Sequence, residues 1–324
     1  MRKERIIDLL LLAGISLFCL IAAEIILYSF DLVERRDFKY IYNPNFKYQL
    51  KPDQIFKGSL HRTYIINKFG LRDVTTYEKK KENTYRVLIL SDSVGFGLGV
   101  DQDKIFLNNL QQELREKTGK PFEIINGSCP GYNTHNEYYW YKEAGSTFQP
   151  DEVLLLFVGN DFKRGPMECH IYPDGSATSY PNSVIPRDIR MTLRKSRIFM
   201  LFSDLYLLET ERLNFERHAE DDHIPPEIVA TLDKLLTEVK KNNVKLRVLY
   251  HPLKPEAGSA GPDARKEQLI KYFVDNGVPV TDLSVIYNKS ALSLDDIYKD
   301  IVHLSEEGHE LLRNVIVEQY VRQK

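Results

Sequence analysis

Four short polar clusters stand out in the chain: Ser91-Asp92-Ser93, Asn126 to Gly131, Gly159-Asn160-Asp161 and Asp300-Ile-Val-His303. A serine hydroxyl becomes a nucleophile when a base takes its proton and a third group orients that base. A carboxylate three residues before a histidine, just ahead of a helix, can accept a hydrogen bond from one ring nitrogen. The other nitrogen is then free to face a hydroxyl. Ser93 is therefore the candidate nucleophile, His303 the candidate base and Asp300 its orienting acid. Backbone N–H groups at Ser93 and Gly131, with the Asn160 side-chain amide, are the candidate donors to a developing oxyanion. Each role has a rival: Ser91 as nucleophile, Gly127 as amide donor, His309 as base. Each cluster alone also has a plainer reading, as turn residues; the information lies in their order and placement.

That placement comes from the surrounding elements. Val87 to Leu90 is a short apolar run that reads as a strand buried on both faces. It stops at Ser91, and Gly95, Gly97 and Gly99 follow at alternate positions. From there strands and helices alternate. Further strands are expected at Phe122–Ile125, Glu152–Val158, Leu246–Tyr250 and Val278–Asp282. Helices are expected at Lys104–Lys117, Thr134–Ala144, Pro226–Asn242, Ala264–Asn276 and Ser305–Arg322. This order implies one parallel sheet with helices on both faces. All carboxyl ends of such a sheet point the same way, and three of the four clusters directly follow an expected strand.

Residues 162–225 interrupt the alternation; they hold His170, Tyr172-Pro-Asp-Gly175 and a helical-looking Ile189–Phe215. An insertion after the third strand is a candidate lid or substrate-selecting element. Residues 31–83 are polar, aromatic and poorly periodic, with Pro44 and Pro52 arguing against helix. They read as an extended lead-in packed on the domain at 84–324, with a possible edge strand at Thr63–Asn67 and no chemistry assigned.

Residues 1–5 are basic on balance, and Ile6 to Phe30 is apolar apart from Asp8 and Glu24. At ~1.5 Å per residue such a helix spans the ~30 Å hydrocarbon core of a bilayer. Arg2, Lys3 and Arg5 predict a cytoplasmic N-terminus and an extracytoplasmic remainder. A cleaved signal peptide fits less well, because Ile21-Ala22-Ala23 is a poor cleavage site. A buried soluble helix would leave the basic prefix unexplained. Glu24 is expected near the outer interface.

A net charge of −2 over 324 residues implies no bulk attraction to nucleic acid. No Cys or His spacing suggests a metal site, and no cofactor is expected. Gly95-x-Gly97-x-Gly99 fits neither the dinucleotide nor the P-loop fingerprint. Cys129 and Cys169 would face an oxidising compartment, where a disulfide and two free thiols are both open.

In combination the four clusters resemble the blocks of the SGNH (GDSL) hydrolase superfamily, over roughly residues 84–324. The anchor and Asn67-Lys-Phe-Gly-Leu-Arg-Asp73 are similar to those of membrane-anchored bacterial members. The resemblance implies a flavodoxin-like three-layer α/β/α sandwich around a five-stranded parallel sheet. It also implies ester hydrolysis by Ser93, His303 and Asp300, with Gly131 and Asn160 as oxyanion donors. Ser91 departs from the family's Gly-Asp-Ser, standing where the glycine would be. The expected function is an extracytoplasmic esterase acting on an acylated envelope glycan or lipid. The alternatives are an O-acyltransferase using the same acyl-enzyme and a non-catalytic glycan-binding or assembly module.

Overall fold

The computed structural model describes residues 2–33, 38–58, 62–73, 79–178, 186–203, 205, 206, 209, 223–259 and 263–322, with the side chains of residues 2–4, 160, 178 and 187 left aside. A single helix, Arg2–Ser29, opens the chain. Two antiparallel hairpins follow, β1 (Tyr40–Asn43) with β2 (Lys47–Leu50) and β3 (Gln54–Lys57) with β4 (Thr63–Ile66). The expected edge strand is thus one arm of a hairpin.

The main sheet contains β5 (Tyr85–Leu90), β6 (Phe122–Asn126), β7 (Glu152–Val158), β10 (Lys245–His251) and β11 (Val280–Asp282). A small hairpin of β8 (His170–Ile171) and β9 (Ala177–Thr178) lies between them in sequence. The spatial order is β11-β10-β7-β5-β6, and every neighbouring pair is parallel. This is the flavodoxin-like order. The chain leaves β5 for one side of the sheet and returns on the other, so a crevice opens between the carboxyl ends of β5 and β7.

Strand alternation divides the core in two. Leu88, Leu90, Val153, Leu155, Phe157, Val248 and Tyr250 point to one face, where they pack with residues of Thr134–Glu143, Pro226–Lys241 and Ala264–Asp275. Val87, Ile89, Leu154, Leu156, Val158 and Leu249 point to the other, against Leu110–Thr118, Leu283–Lys289 and Glu306–Val321. Two helical layers around one sheet give the three-layer sandwich.

The helix expected from Lys104 begins only at Leu110. Asn109 takes a left-handed conformation (φ 62°) that interrupts helical winding. Upstream, Asp101 Oδ1 accepts Thr63 N–H at 2.7 Å, tying this segment to β4 instead. The insertion's helical stretch is also broken. Arg187–Leu193 is one helix, and helical backbone resumes over 197–203 and at 205 and 206; its continuation towards 215 lies outside the described residues.

The lead-in is built into the domain through a buried cation. Arg72 is fully inaccessible, and its guanidinium donates to the carbonyls of Phe96 (2.9 Å), Gly97 and Val100 (2.7 Å) and to Gln102 Oε1 (3.1 Å). The Tyr64 ring stacks on it at 4.3 Å. These carbonyls belong to the loop that follows Ser93. Replacing Arg72 with alanine would orphan several of them and leave a void. Arg72→Ala is expected to cost roughly 3 kcal/mol or more, read as a lower thermal unfolding midpoint. A midpoint within error of the parent would refute this role.

Candidate active site

Ser93 is the first residue of a short helix, Ser93–Phe96, entered directly from β5. Asp92 caps it, its carboxylate accepting Val94 N–H at 2.8 Å. This geometry leaves the Ser93 N–H at a helix start, without an intrahelical partner. The hydroxyl lies 2.9 Å from His303 Nε2 although the two residues are 210 positions apart. His303 Nδ1 lies 2.8 Å from Asp300 Oδ2. The other oxygen, Asp300 Oδ1, accepts the backbone N–H groups of Val302 (2.9 Å) and His303 (2.8 Å).

Burial by itself would raise the Asp300 pKa. The adjacent imidazole and these N–H donors outweigh it and hold the carboxyl well below the usual carboxylate range. The ionised Asp300 therefore fixes the proton of His303 on Nδ1. Nε2 is left as an acceptor towards the Ser93 hydroxyl.

The loop carrying Asp300 and His303 is braced from beneath by the end of β10. His251 is wholly buried, with Nε2 2.9 Å from Val302 O and Nδ1 3.0 Å from the Tyr287 hydroxyl. A carbonyl can only accept, so Nε2 carries the proton and Nδ1 accepts from Tyr287. Burial pushes His251 down to about 4, which keeps it neutral. Lys254 N–H donates to Ile301 O (2.9 Å), and the Tyr298 hydroxyl donates to Pro252 O (2.6 Å). His251, expected at the strand end as a cleft residue, supports the loop of Asp300 and His303 from inside.

The rivals separate on hydrogen-bond accounting. Ser91 is fully buried, and its hydroxyl donates to Leu156 O (3.1 Å) while accepting Gly95 N–H (3.3 Å). It stitches β5 to β7 and to the Ser93 helix, and faces no base. A Cβ on Gly95 would fall 2.4 Å from Ser91 Cβ and 2.5 Å from Ser128 Oγ. The glycine at 95 thus makes room for the serine at 91. His309 is buried, stacks on Phe106 and accepts Phe106 N–H through Nδ1 at 3.3 Å. It belongs to the core.

In the loop after β6, Gly127 N–H bonds Ile89 O (2.8 Å), Ser128 N–H bonds Asn126 Oδ1 (3.1 Å) and Cys129 N–H bonds Ser91 O (3.2 Å). These amides are occupied, Gly127 among them. Among the described residues no acceptor is bonded to Gly131 N–H. Gly131 has φ +80°, and a Cβ there would lie 2.8 Å from the Tyr48 hydroxyl, so neither backbone nor space suits a larger residue. Tyr48 itself donates to Pro130 O at 3.1 Å. The lead-in therefore holds this loop through Tyr48 as it holds the Ser93 loop through Arg72. Neither contact leaves a signal in the sequence by which a role could be assigned.

The third cluster follows β7 directly. Asp161 is fully buried, with Oδ2 accepting Val158 N–H at 2.7 Å. The Asn160 side chain lies outside the described residues. Burial, with mutual repulsion between neighbouring acids, pushes Glu137 and Asp161 upward. Cys129 and Cys169 are both free thiols. No cluster of metal-ligating side chains occurs among the described residues.

Fold and site together have the form of an α/β serine hydrolase. The family model of the GDSL-like lipase/acylhydrolase family matches residues 92–311, and the chain belongs to that family. Membership of that family makes the protein an ester-hydrolysing serine hydrolase. Among solved structures it is similar to TesA, at 13% identity and a TM-score of 0.46, covering 73% of this chain and 99% of that one. It is similar to the psychrotrophic esterase EstA from Pseudoalteromonas sp., at 14% identity and a TM-score of 0.45, covering 75% and 98%. A two-domain esterase active on acetylated mannans matches at 11% identity and a TM-score of 0.47, covering 74% of this chain and 50% of that one. No curated protein matches the sequence.

Two outcomes test this geometry. Ser91→Ala should retain labelling by a fluorophosphonate probe and lose about 1–2 kcal/mol of stability, from the two lost hydrogen bonds. Loss of labelling in a folded Ser91→Ala protein would restore Ser91 as nucleophile. The second concerns His309, which burial pushes down to about 3, against ~6.5 in an unfolded chain. The unfolded chain binds the extra proton between these values, so the stability is complete above pH ~6.5 and lost as pH falls towards ~3. Against His309→Asn, which cannot titrate there, the parent should lose about 3 kcal/mol of relative stability between about pH 6.5 and pH 4. A gap in denaturation midpoint that does not change with pH would contradict a buried neutral imidazole.

Proposed function

We propose that this protein is a membrane-anchored, extracytoplasmic serine esterase that removes acyl groups from a cell-envelope glycan or lipid. One observation carries the chemistry: the continuous link from Ser93 Oγ through both His303 nitrogens to Asp300, at 2.9 and 2.8 Å. In this reading His303 Nε2 takes the Ser93 proton as Oγ attacks the ester carbonyl carbon. The carbonyl oxygen becomes an oxyanion facing the N–H groups of Ser93 and Gly131, with Asn160 as third donor. The imidazolium, stabilised by ionised Asp300, then gives its proton to the departing alcohol. Water, activated by the same nitrogen, releases the acid and regenerates Ser93.

The helix Arg5–Ser29 is long and apolar enough to cross a bilayer, and its apolar side chains are exposed. The basic prefix favours retention of residues 1–5 in the cytoplasm. Carbonate extraction tests the anchor: the protein should stay in the membrane pellet, and release into the supernatant would sink this part of the reading.

For the chemistry, the screen begins with acetylated sugars and short-chain esters. Ser93→Ala should abolish fluorophosphonate labelling, and Asp300→Asn should lower kcat by roughly 10²–10⁴, since the wrong tautomer then faces Ser93. Folded parent protein that is neither labelled nor active would favour a non-catalytic module. Transfer of a labelled acyl group to a sugar hydroxyl in place of water would make it an acyltransferase.

A further inference from the structure

The end of the N-terminal helix is gripped by the insertion. Glu24 accepts Arg197 N–H on one oxygen (2.6 Å), and Ile198 N–H (3.1 Å) and the Ser196 hydroxyl (2.9 Å) on the other. Further along, Arg197 pairs with Asp31 at 3.8 Å, both side chains almost fully buried, and its guanidinium lies 5.5 Å from the Tyr28 ring centre. A carboxylate with three donors and a neighbouring cation is satisfied as an anion, and belongs at the edge of the hydrocarbon. The apolar stretch 6–23 before it measures about 27 Å as helix, close to the ~30 Å core. Glu24 therefore marks the outer boundary, and residues 196–198 are fastened to it.

Directly after this clamp the chain is helical over 197–203 and at 205 and 206. Leu201 and Leu205, and Phe202 and Tyr206, are each four residues apart and so share a helix face. All four are exposed, Phe202 and Tyr206 at 66%. In the preceding helix Ile189 is exposed as well. Lys195 at the surface and half-buried Arg194 lie just before the clamp. Apolar and aromatic side chains beside basic ones, held at the depth of a helix exit, have the composition of an interfacial segment.

Building on the anchor proposed above, we infer that residues 189–203, 205 and 206 form a second membrane-contact surface, with Leu201, Phe202, Leu205 and Tyr206 immersed in the lipid around the anchor and Arg194 and Lys195 at its headgroups. The Glu24 clamp sets the depth. The insertion would then tie the domain to the bilayer surface and hold it in one orientation.

The test uses Phe202→Trp in the full chain, reconstituted into phosphatidylethanolamine–phosphatidylglycerol vesicles with brominated acyl chains. The chain's single tryptophan, Trp140, is buried in the core and supplies the background, measured on the parent protein. Emission from the introduced indole should be blue-shifted and strongly quenched by bromine, and Glu24→Ala should weaken that quenching. Vesicle-bound Phe202→Trp protein whose added emission escapes quenching would overturn the inference and leave the anchor standing. Failure to float with the vesicles would overturn both. A blue shift without bromine quenching, with position 202 cross-linking to a second copy, would overturn it in favour of a protein partner.

Discussion

The site depends on one loop closure: a hydroxyl at the end of β5 must meet an imidazole 210 residues later. A parallel sheet makes such a meeting inexpensive, because every strand delivers its carboxyl end to the same edge. It does not by itself set the distance to within hydrogen-bonding reach. That is done by rigid attachments on each side. Asp92 and the start of the Ser93 helix fix the hydroxyl. The His251, Lys254 and Tyr298 contacts fix the loop that carries His303. Both anchor points, β5 and β10, flank β7 in the sheet, so the two halves are referenced to one central strand.

Residues outside the alternating core supply the remaining rigidity. The Ser93 helix is only one turn long, too short to be stable alone. Its exit loop is held by the Arg72 guanidinium and by the Tyr64 hydroxyl, which accepts Gly99 N–H at 2.8 Å. The loop after β6 is held by Tyr48. The lead-in thus works as a collar around the crevice. Its aromatic rings, Phe38, Tyr48 and Tyr64 among them, join the same core as the strands it surrounds. The departure at Ser91 fits this pattern, since the bulk that replaces a glycine is absorbed at Gly95 and its hydroxyl adds a bond to β7.

What could be read from sequence follows from the range of the forces involved. The five strands were legible because each is a short apolar run ended abruptly by polar residues. The Ser93, Asp300 and His303 arrangement was legible because its acid and base are three residues apart and both flank regular elements. Arg72 was not, since most of its hydrogen-bond partners are backbone carbonyls, which leave no trace in residue type. Glu24 could not be paired from sequence, because its donors lie 172 to 174 residues away and two are main-chain amides. His251 read as a strand-end histidine for the same reason: its partner in the loop of His303 is a carbonyl. The helix expected from Lys104 failed because apolar spacing cannot register a left-handed residue at Asn109.

Acids near the crevice show how position overrides residue type. Asp300 and Asp161 share a side chain, and both sit in loops at the carboxyl edge of the sheet. Asp300 receives two backbone N–H bonds and an imidazole N–H, enough to keep it ionised despite burial. Asp161 receives one strong backbone bond, lies deeper and has acidic neighbours in Asp92 and Glu137; burial prevails and favours its neutral form. The histidines divide in the same way. His251 and His309 are sealed in the core and remain neutral, while His303 touches both a carboxylate and a hydroxyl. Burial thus makes poor bases of two of these three imidazoles and leaves the third beside its ionised partner.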